Sequence, residues 1–166
     1  TRILIQRADR LGDAILALPV IDALNTLFPD ASITMLASPI ASSLMACYDG
    51  ITDVITVPSS PSLLTLLNVS RQISSLNIDL YISLWPDTRW QYLALFARIP
   101  KSIGVANALH HKPCFSHPTT IDFREPLHES QFNLNILSSL YDLPHKPSPS
   151  SFTWPSPTEP LPPISS

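Results

Sequence analysis

The chain has 166 residues, of which 45% are hydrophobic and 14% are charged, and its formal net charge is −3. This length and composition indicate a globular chain with its own core and exclude a largely disordered protein. The small negative charge gives no support for general nucleic-acid binding, which needs an excess of cations. The sequence has neither an apolar run long enough to span a bilayer nor a secretory signal, so we expect a cytoplasmic protein.

The first predicted elements are a buried strand, a charged loop and a long apolar helix. The strand covers residues 3–5, and the helix covers residues 14–28. Pro19 lies inside this helix, where it removes a backbone hydrogen bond, so we expect a kink there. Strand, loop and helix in this order form the first half of a βαβ unit. Its loop lies at the carboxyl edge of the sheet, where open α/β sheets bind ligands.

The loop carries more charge than a connection needs, and we interpret it as an active-site loop. Its candidate site residues are Arg7, Asp9, Arg10, Gly12 and Asp13. Guanidinium groups suit carboxylates and phosphates, so the arginines are candidates for orienting an acidic acceptor. Ion pairing with the two aspartates explains the arginines equally well, and both roles can coexist. Asp13 is also explained as a helix cap or a first-turn acid, so its position alone leaves both interpretations open.

Strands and helices alternate along the rest of the chain. Further strands are predicted at 32–37, 53–57, 79–85 and 102–105, with helices near 40–47, 61–76, 88–98 and 129–141 and a loop at 107–120. This alternation predicts an α/β fold, with a Rossmann-like parallel sheet and helices on both faces. In the strand order 3-2-1-4-5 the first and fourth strands are neighbours, which would bring Asp87 and Arg89 close to the charged loop.

The residues after 143 differ in composition from the rest of the chain. Eight of the last 23 are proline, with serine and threonine between them. Neither a helix nor a central strand tolerates that composition. We therefore expect one Rossmann-like domain over 1–143 and a linker or tail outside its core over 144–166.

The sequence supports no cofactor or metal site. The loop has neither the dinucleotide-binding glycine pattern nor the phosphate-binding Walker pattern. Asp9 and Asp13 straddle the junction of loop and helix, but no further ligand stands at a suitable spacing. The histidines His110, His111 and His117 likewise lack a carboxylate or cysteine at ligand spacing, so we interpret them as exposed loop residues. We predict that the chain binds no metal.

An ordered series of motifs resembles glycosyltransferase family 9, the heptosyltransferase family of lipopolysaccharide core synthesis. The series begins with residues 7–13 and continues through 28–31, 33–36, 53–55, 79–84 and 98–104 to His128. The resemblance covers the chain from Thr1 to about Leu143. Family members are longer and have a GT-B architecture, in which a second Rossmann-like domain binds the nucleotide sugar. We expect this chain to correspond to the N-terminal half.

The resemblance implies an inverting glycosyltransferase that transfers heptose from ADP-heptose to a Kdo or heptose residue of the lipopolysaccharide core. Asp13 matches the aspartate proposed in the family as the general base for the acceptor hydroxyl, a role that typically contributes about 10²–10⁴-fold. The candidates for substrate binding are Arg7, Asp9, Arg10, Gly12, Asp87, Arg89 and Lys101. His128 also resembles a family histidine, but a helix cap or a core position explains it better.

The resemblance also implies partners for the chain. These are the lipid A–Kdo acceptor of the lipopolysaccharide core, a nucleotide-sugar donor and, by peripheral association, the inner membrane. The donor would be bound mainly by the missing C-terminal domain, so we expect no cofactor here and an inactive isolated chain. The alternative is a non-catalytic sugar- or nucleotide-binding Rossmann-like module, and a third class is an unrelated flavodoxin-like domain. Whether the reading frame continues past Ser166 separates the first two.

Overall fold

A parallel β-sheet forms the centre of the computed structural model, which describes residues 1–85, 89–106, 113–120, 128–143 and 149–153. Within these ranges the strands are β1 (Arg2–Arg7), β2 (Ser32–Ala37), β3 (Asp53–Thr56), β4 (Leu80–Ser83), β5 (Lys101–Val105) and β6 (His117–Thr119). Their order is β3-β2-β1-β4-β5-β6, and every neighbouring pair is parallel. The predicted order of the first five strands and the α/β fold are confirmed. The predicted residues Asp87, His110 and His111 lie outside the described ranges.

Helices cover the two faces of the sheet. They are α1 (Leu11–Ile15), α2 (Leu18–Leu27), α3 (Pro39–Met45), α4 (Leu63–Ser74), α5 (Leu93–Phe96) and α6 (Glu129–Ser138), and a 3₁₀ turn (Trp90–Tyr92) precedes α5. Ile3 and Ile5 of β1 share one core with residues of α2 and α6, whereas Leu4 belongs to a second core with residues of α4 and α5. This alternation follows from the two-residue period of a strand. None of the helices in the described ranges is long and apolar enough to cross a bilayer.

The predicted kink at Pro19 is a complete break between two helices. The first, α1, ends at Ile15, and Pro19 occupies the first turn of α2, where its missing N–H costs nothing. The Val20 N–H turns back to the Ala17 carbonyl at 3.0 Å, as in a 3₁₀ turn. The Leu16 carbonyl therefore does not receive the Val20 N–H that would bond it in a continuous helix.

The sixth strand corrects the prediction of a loop over residues 107–120. Residues His117–Thr119 pair in parallel with Ile103–Val105. Two reciprocal hydrogen bonds fix the approach, from Ser102 N to Ser116 Oγ at 2.7 Å and from Ser116 N to Ser102 Oγ at 2.9 Å. A three-residue edge strand that contains a proline has too little alternation to be recognised in the sequence.

Part of the predicted tail, residues 149–153, lies against the domain. The Ser150 N–H donates to Asp22 Oδ1 at 3.0 Å, and Tyr48 Oη donates to the same oxygen at 2.7 Å. The Phe152 ring packs on the Tyr48 ring with a centroid distance of 4.9 Å. The Asp22 carboxylate on α2 therefore faces this segment, which explains why Asp22 is only 7% exposed.

Candidate active site

Arg7 lies at the centre of the candidate active site. It is the last residue of β1, and β1 has β2 on one side and β4 on the other, so its carboxyl end opens in the middle of the sheet. Its side chain follows Ile3 and Ile5 at two-residue spacing and therefore points to the face covered by α2 and α6. Only 1% of the Arg7 side chain is exposed. A buried guanidinium is tolerated only with charge partners and hydrogen bonds.

Within the described chain, three carboxylates from different parts of the sequence surround this guanidinium. Arg7 Nε lies 3.0 Å from Asp9 Oδ1, and Arg7 Nη2 lies 2.9 Å from Glu129 Oε1. The same Nη2 lies 3.8 Å from Asp13 Oδ1, which is beyond hydrogen-bond distance. With all three acids ionised, this group of four residues carries a charge of −2.

Neutral groups accept the hydrogen bonds of the third guanidinium nitrogen, Nη1. Arg7 Nη1 donates to the Leu84 carbonyl at 2.9 Å and to Asn133 Oδ1 at 3.2 Å. The Trp85 ring covers the guanidinium, with its centroid 5.2 Å from Cζ. Asn133 is itself buried, and its Nδ2 donates to the Leu16 carbonyl at 3.0 Å. That carbonyl is the one released by the break between α1 and α2.

Glu129 and Asn133 are the site residues that the sequence analysis missed. They lie four residues apart on α6, so they project from the same side of the helix. His128 forms the predicted helix cap, since its Nδ1 accepts from the Ser130 N–H at 3.4 Å. In the sequence Asn133 is only a polar residue beside the apolar positions of α6, and its partner Arg7 is 126 residues away.

The predicted loop is shorter in the structure, because β1 extends to Arg7 and α1 begins at Leu11. Arg10 is exposed and precedes α1 without making a side-chain cap, and Gly12 and Asp13 lie in the first turn. The Asp13 side chain is 28% exposed. At Gly12 a Cβ atom would meet nothing within 4 Å, so the space above the first turn is open. The arrangement leaves a carboxylate accessible to a ligand that approaches the carboxyl edge of β1.

The pKa of Asp9 is raised from its ordinary value. Burial is the main cause; the cation of Arg7 opposes it, and the neighbouring carboxyl of Asp13 adds to it. Folding therefore favours protonated Asp9. This contribution of Asp9 to stability is complete below the ordinary pKa of an aspartate. It is lost as the pH rises through the raised pKa that Asp9 has in the folded protein.

The raised pKa of Asp9 predicts how Asp9→Asn alters the pH dependence of stability. Asparagine cannot ionise, so the free energy of unfolding of the variant, relative to wild type, should increase as the pH rises from about 4 to 7. Urea unfolding at several pH values measures this difference. Gln131→Ala, on an exposed position of α6, should give a pH-independent difference. A relative stability of Asp9→Asn that falls over the same range would contradict the assignment.

Arg89 contacts the chain just before α4. Its Nη1 donates to the Pro61 carbonyl at 2.6 Å. Its side chain also borders a mainly apolar cavity of about 440 Å³, together with Leu63, Tyr92 and Phe96. The pairing of β1 with β4 brings the end of β4 to the charged loop, where Leu84 and Trp85 contact Arg7.

The structure places Lys101 away from the other predicted site residues. It is the first residue of β5 and pairs with Leu80, the first residue of β4, so it lies at the amino edge of the sheet. Four strand steps, roughly 13 Å, separate it from the carboxyl end of β5. Its Nζ donates to Tyr141 Oη at 2.9 Å, a contact that ties the segment after α6 to β5. Lys101 therefore has a structural role away from Asp13.

In the part of the chain that the structure describes, no group of three or more histidine, cysteine, aspartate or glutamate side chains is arranged to hold a metal ion. The carboxylates of the site instead surround a guanidinium. Their arrangement suits proton transfer and the binding of hydroxyl groups.

Comparisons with known proteins identify similar solved structures. The glycosyltransferase family 9 protein from Veillonella parvula DSM 2008 superposes with a TM-score of 0.74 and 26% identity, over 84% of this chain and 40% of that chain. ADP-heptose LPS heptosyltransferase II of E. coli gives a TM-score of 0.74 at 15% identity, over 93% and 47%. E. coli heptosyltransferase WaaC with ADP-2-deoxy-2-fluoro heptose gives 0.71 at 15% identity, over 88% and 50%.

These similarities confirm the resemblance to glycosyltransferase family 9 at the level of structure. No protein-family model and no curated protein matches the sequence. The chain spans only 40% to 50% of the length of the three solved structures. The two heptosyltransferases are 15% identical to it and establish the fold alone.

Proposed function

We propose that this chain is the acceptor-binding N-terminal half of a family 9 glycosyltransferase, with Asp13 as the general base. One observation carries the proposal. In a fold shared with family 9, Asp13 is an accessible carboxylate at the carboxyl edge of β1, next to a buried arginine. That edge is where open α/β sheets bind their ligands.

The chemistry assigned to Asp13 is the removal of one proton. As the acceptor oxygen attacks the anomeric carbon of the donor sugar, its hydroxyl proton passes to the Asp13 carboxylate. The bond from that carbon to the diphosphate breaks, and its electron pair leaves with the nucleotide. Attack from the face opposite the leaving group inverts the anomeric centre. The 3.8 Å separation from Arg7 supports this role, because the guanidinium does not donate a hydrogen bond to Asp13 at that distance.

The substrates that we propose are ADP-heptose and a Kdo or heptose residue of the lipopolysaccharide core. The names of two similar structures support this choice, since one is an ADP-heptose LPS heptosyltransferase and another holds an ADP-heptose analogue. A second Rossmann-like domain would bind most of the donor, so the isolated chain would be inactive. The same proposal places the enzyme in the cytoplasm, in peripheral contact with the inner membrane that carries its acceptor.

Calorimetry on the 166-residue chain tests whether it binds the acceptor but not the donor. A soluble Kdo-containing core oligosaccharide should bind saturably, whereas ADP-heptose should bind weakly or not at all. Arg10→Gln should weaken oligosaccharide binding about tenfold, the worth of a hydrogen bond to a charged group. Arg71→Gln removes the same charge from an exposed position of α4 and should leave binding unchanged.

Two outcomes would contradict the proposal. Tight, saturable binding of ADP-heptose to this chain would favour a nucleotide-binding Rossmann-like module. Oligosaccharide binding that is lost equally in both arginine variants would indicate general charge attraction instead of a site at the loop.

A further inference from the structure

We infer that Glu129 of α6 is a positioning residue for Asp13, and that it acts by holding the Arg7 guanidinium away from the Asp13 carboxylate. The inference rests on the proposed function, since it assigns a role toward the proposed base. It concerns a residue outside the charged loop, contributed by a helix 116 positions further along the chain.

The first step is a competition for one nitrogen atom. Arg7 Nη2 lies 2.9 Å from Glu129 Oε1 and 3.8 Å from Asp13 Oδ1. The shorter distance is that of a charge-assisted hydrogen bond, and the longer one exceeds the hydrogen-bond limit. Glu129 therefore engages the donor that would otherwise reach Asp13.

The second step is that Nη1 of the guanidinium is fixed, so Nη2 is the nitrogen that can exchange one carboxylate partner for another. Nη1 is fixed by the Leu84 carbonyl at 2.9 Å and by Asn133 Oδ1 at 3.2 Å. Asn133 is fixed in turn, because its Nδ2 donates to the Leu16 carbonyl at 3.0 Å. One buried amide thus ties the Nη1 side of the guanidinium to the end of α1, the helix that carries Asp13, and keeps Nη2 near the Asp13 carboxylate.

The third step concerns the charges that face Asp13. Arg7 and Asp9 come from β1 and its loop, Arg10 precedes α1, and Glu129 follows His128 at the start of α6. A full Arg7 charge acting on Asp13 alone would weaken it as a base. The Glu129 charge offsets that of Arg7, and it does so from a side chain that is itself 36% exposed.

The test is Glu129→Gln, which keeps the size of the side chain and removes its charge. Asp30→Asn makes the same change in net charge at an exposed residue between α2 and β2. In the natural polypeptide that contains this sequence, Glu129→Gln should lower kcat for transfer from ADP-heptose to a Kdo acceptor about tenfold. It should also move the acid limb of the pH–rate profile to lower pH, with little change in the acceptor KM. Asp30→Asn should alter none of these.

A crystal structure of the Glu129→Ala chain, in which residue 129 has no side-chain acceptor for Arg7 Nη2, gives a second readout that does not depend on activity. The separation of Arg7 Nη2 from Asp13 Oδ1 should shorten from 3.8 Å to about 3 Å, a normal hydrogen-bond length. An unchanged separation, or an acid limb that stays in place, would overturn the inference. If wild type transfers no sugar, the proposed function fails, and the measured separation alone decides the role of Glu129.

Discussion

Asp13→Asn should lower turnover by about 10²-fold or more in the natural polypeptide that contains this sequence, because the change removes the proposed general base. Acceptor affinity should change far less, since the asparagine amide retains one oxygen and the size of the side chain. The fold should also be preserved. Asp13 lies in the first turn of a five-residue helix rather than at its cap, so it stabilises the helix by about 0.3–1 kcal/mol.

The matched control is Asp30→Asn, which changes the net charge equally at the amino edge of the sheet and should keep normal turnover. Thermal unfolding of both variants separates folding from chemistry. An Asp13→Asn protein that melts several degrees lower yet keeps near-normal turnover would show that Asp13 is a structural first-turn acid.

Arg7→Met should destabilise the chain by about 3–5 kcal/mol, the usual cost of removing one partner from a buried ion pair. Methionine retains apolar contact, but Asp9, Asp13 and Glu129 lose the cation between them. Because protonation relieves the repulsion among these carboxylates, the stability lost in Arg7→Met should become smaller as the pH falls from 7 to about 4. Urea unfolding at each pH measures the free energy of unfolding.

Arg10→Met provides the comparison, because Arg10 belongs to the same loop and is exposed. Its free energy of unfolding should stay within about 0.5 kcal/mol of wild type. If Arg7→Met and Arg10→Met are equally stable, the buried guanidinium is not what holds the loop to α6.

The order of the strands was predictable because it depends on patterns that are local in the sequence. Apolar strands such as residues 3–5 alternate with amphipathic helices, and parallel connections of one hand restrict the ways in which they can assemble. The same reasoning predicted that β1 and β4 are neighbours, which brought Trp85 and Leu84 to Arg7. An irregularity at Pro19 was predictable, because the missing N–H is a property of one residue, but it was predicted as a kink and is a break between two helices.

The partners of Arg7 on α6 were not predictable from local patterns. Glu129 reads as an ordinary first-turn acid and Asn133 as a polar residue on a weakly amphipathic helix. Their role depends on where α6 packs, which no spacing in the sequence specifies. The position of Lys101 was not predictable for a related reason. Its charge is evident in the sequence, but its place at the start of β5 puts it at the edge of the sheet opposite Asp13.

The most direct test of Asp13 as the base of a sugar transfer is a side-by-side assay of wild type and Asp13→Asn. The natural polypeptide is supplied with ADP-heptose and a Kdo acceptor, and the release of ADP and the anomeric configuration of the product are followed together. We predict that wild type forms a product with inverted configuration and that Asp13→Asn forms it at least about 10²-fold more slowly. Equal rates for the two proteins, or a product with retained configuration, would contradict the account.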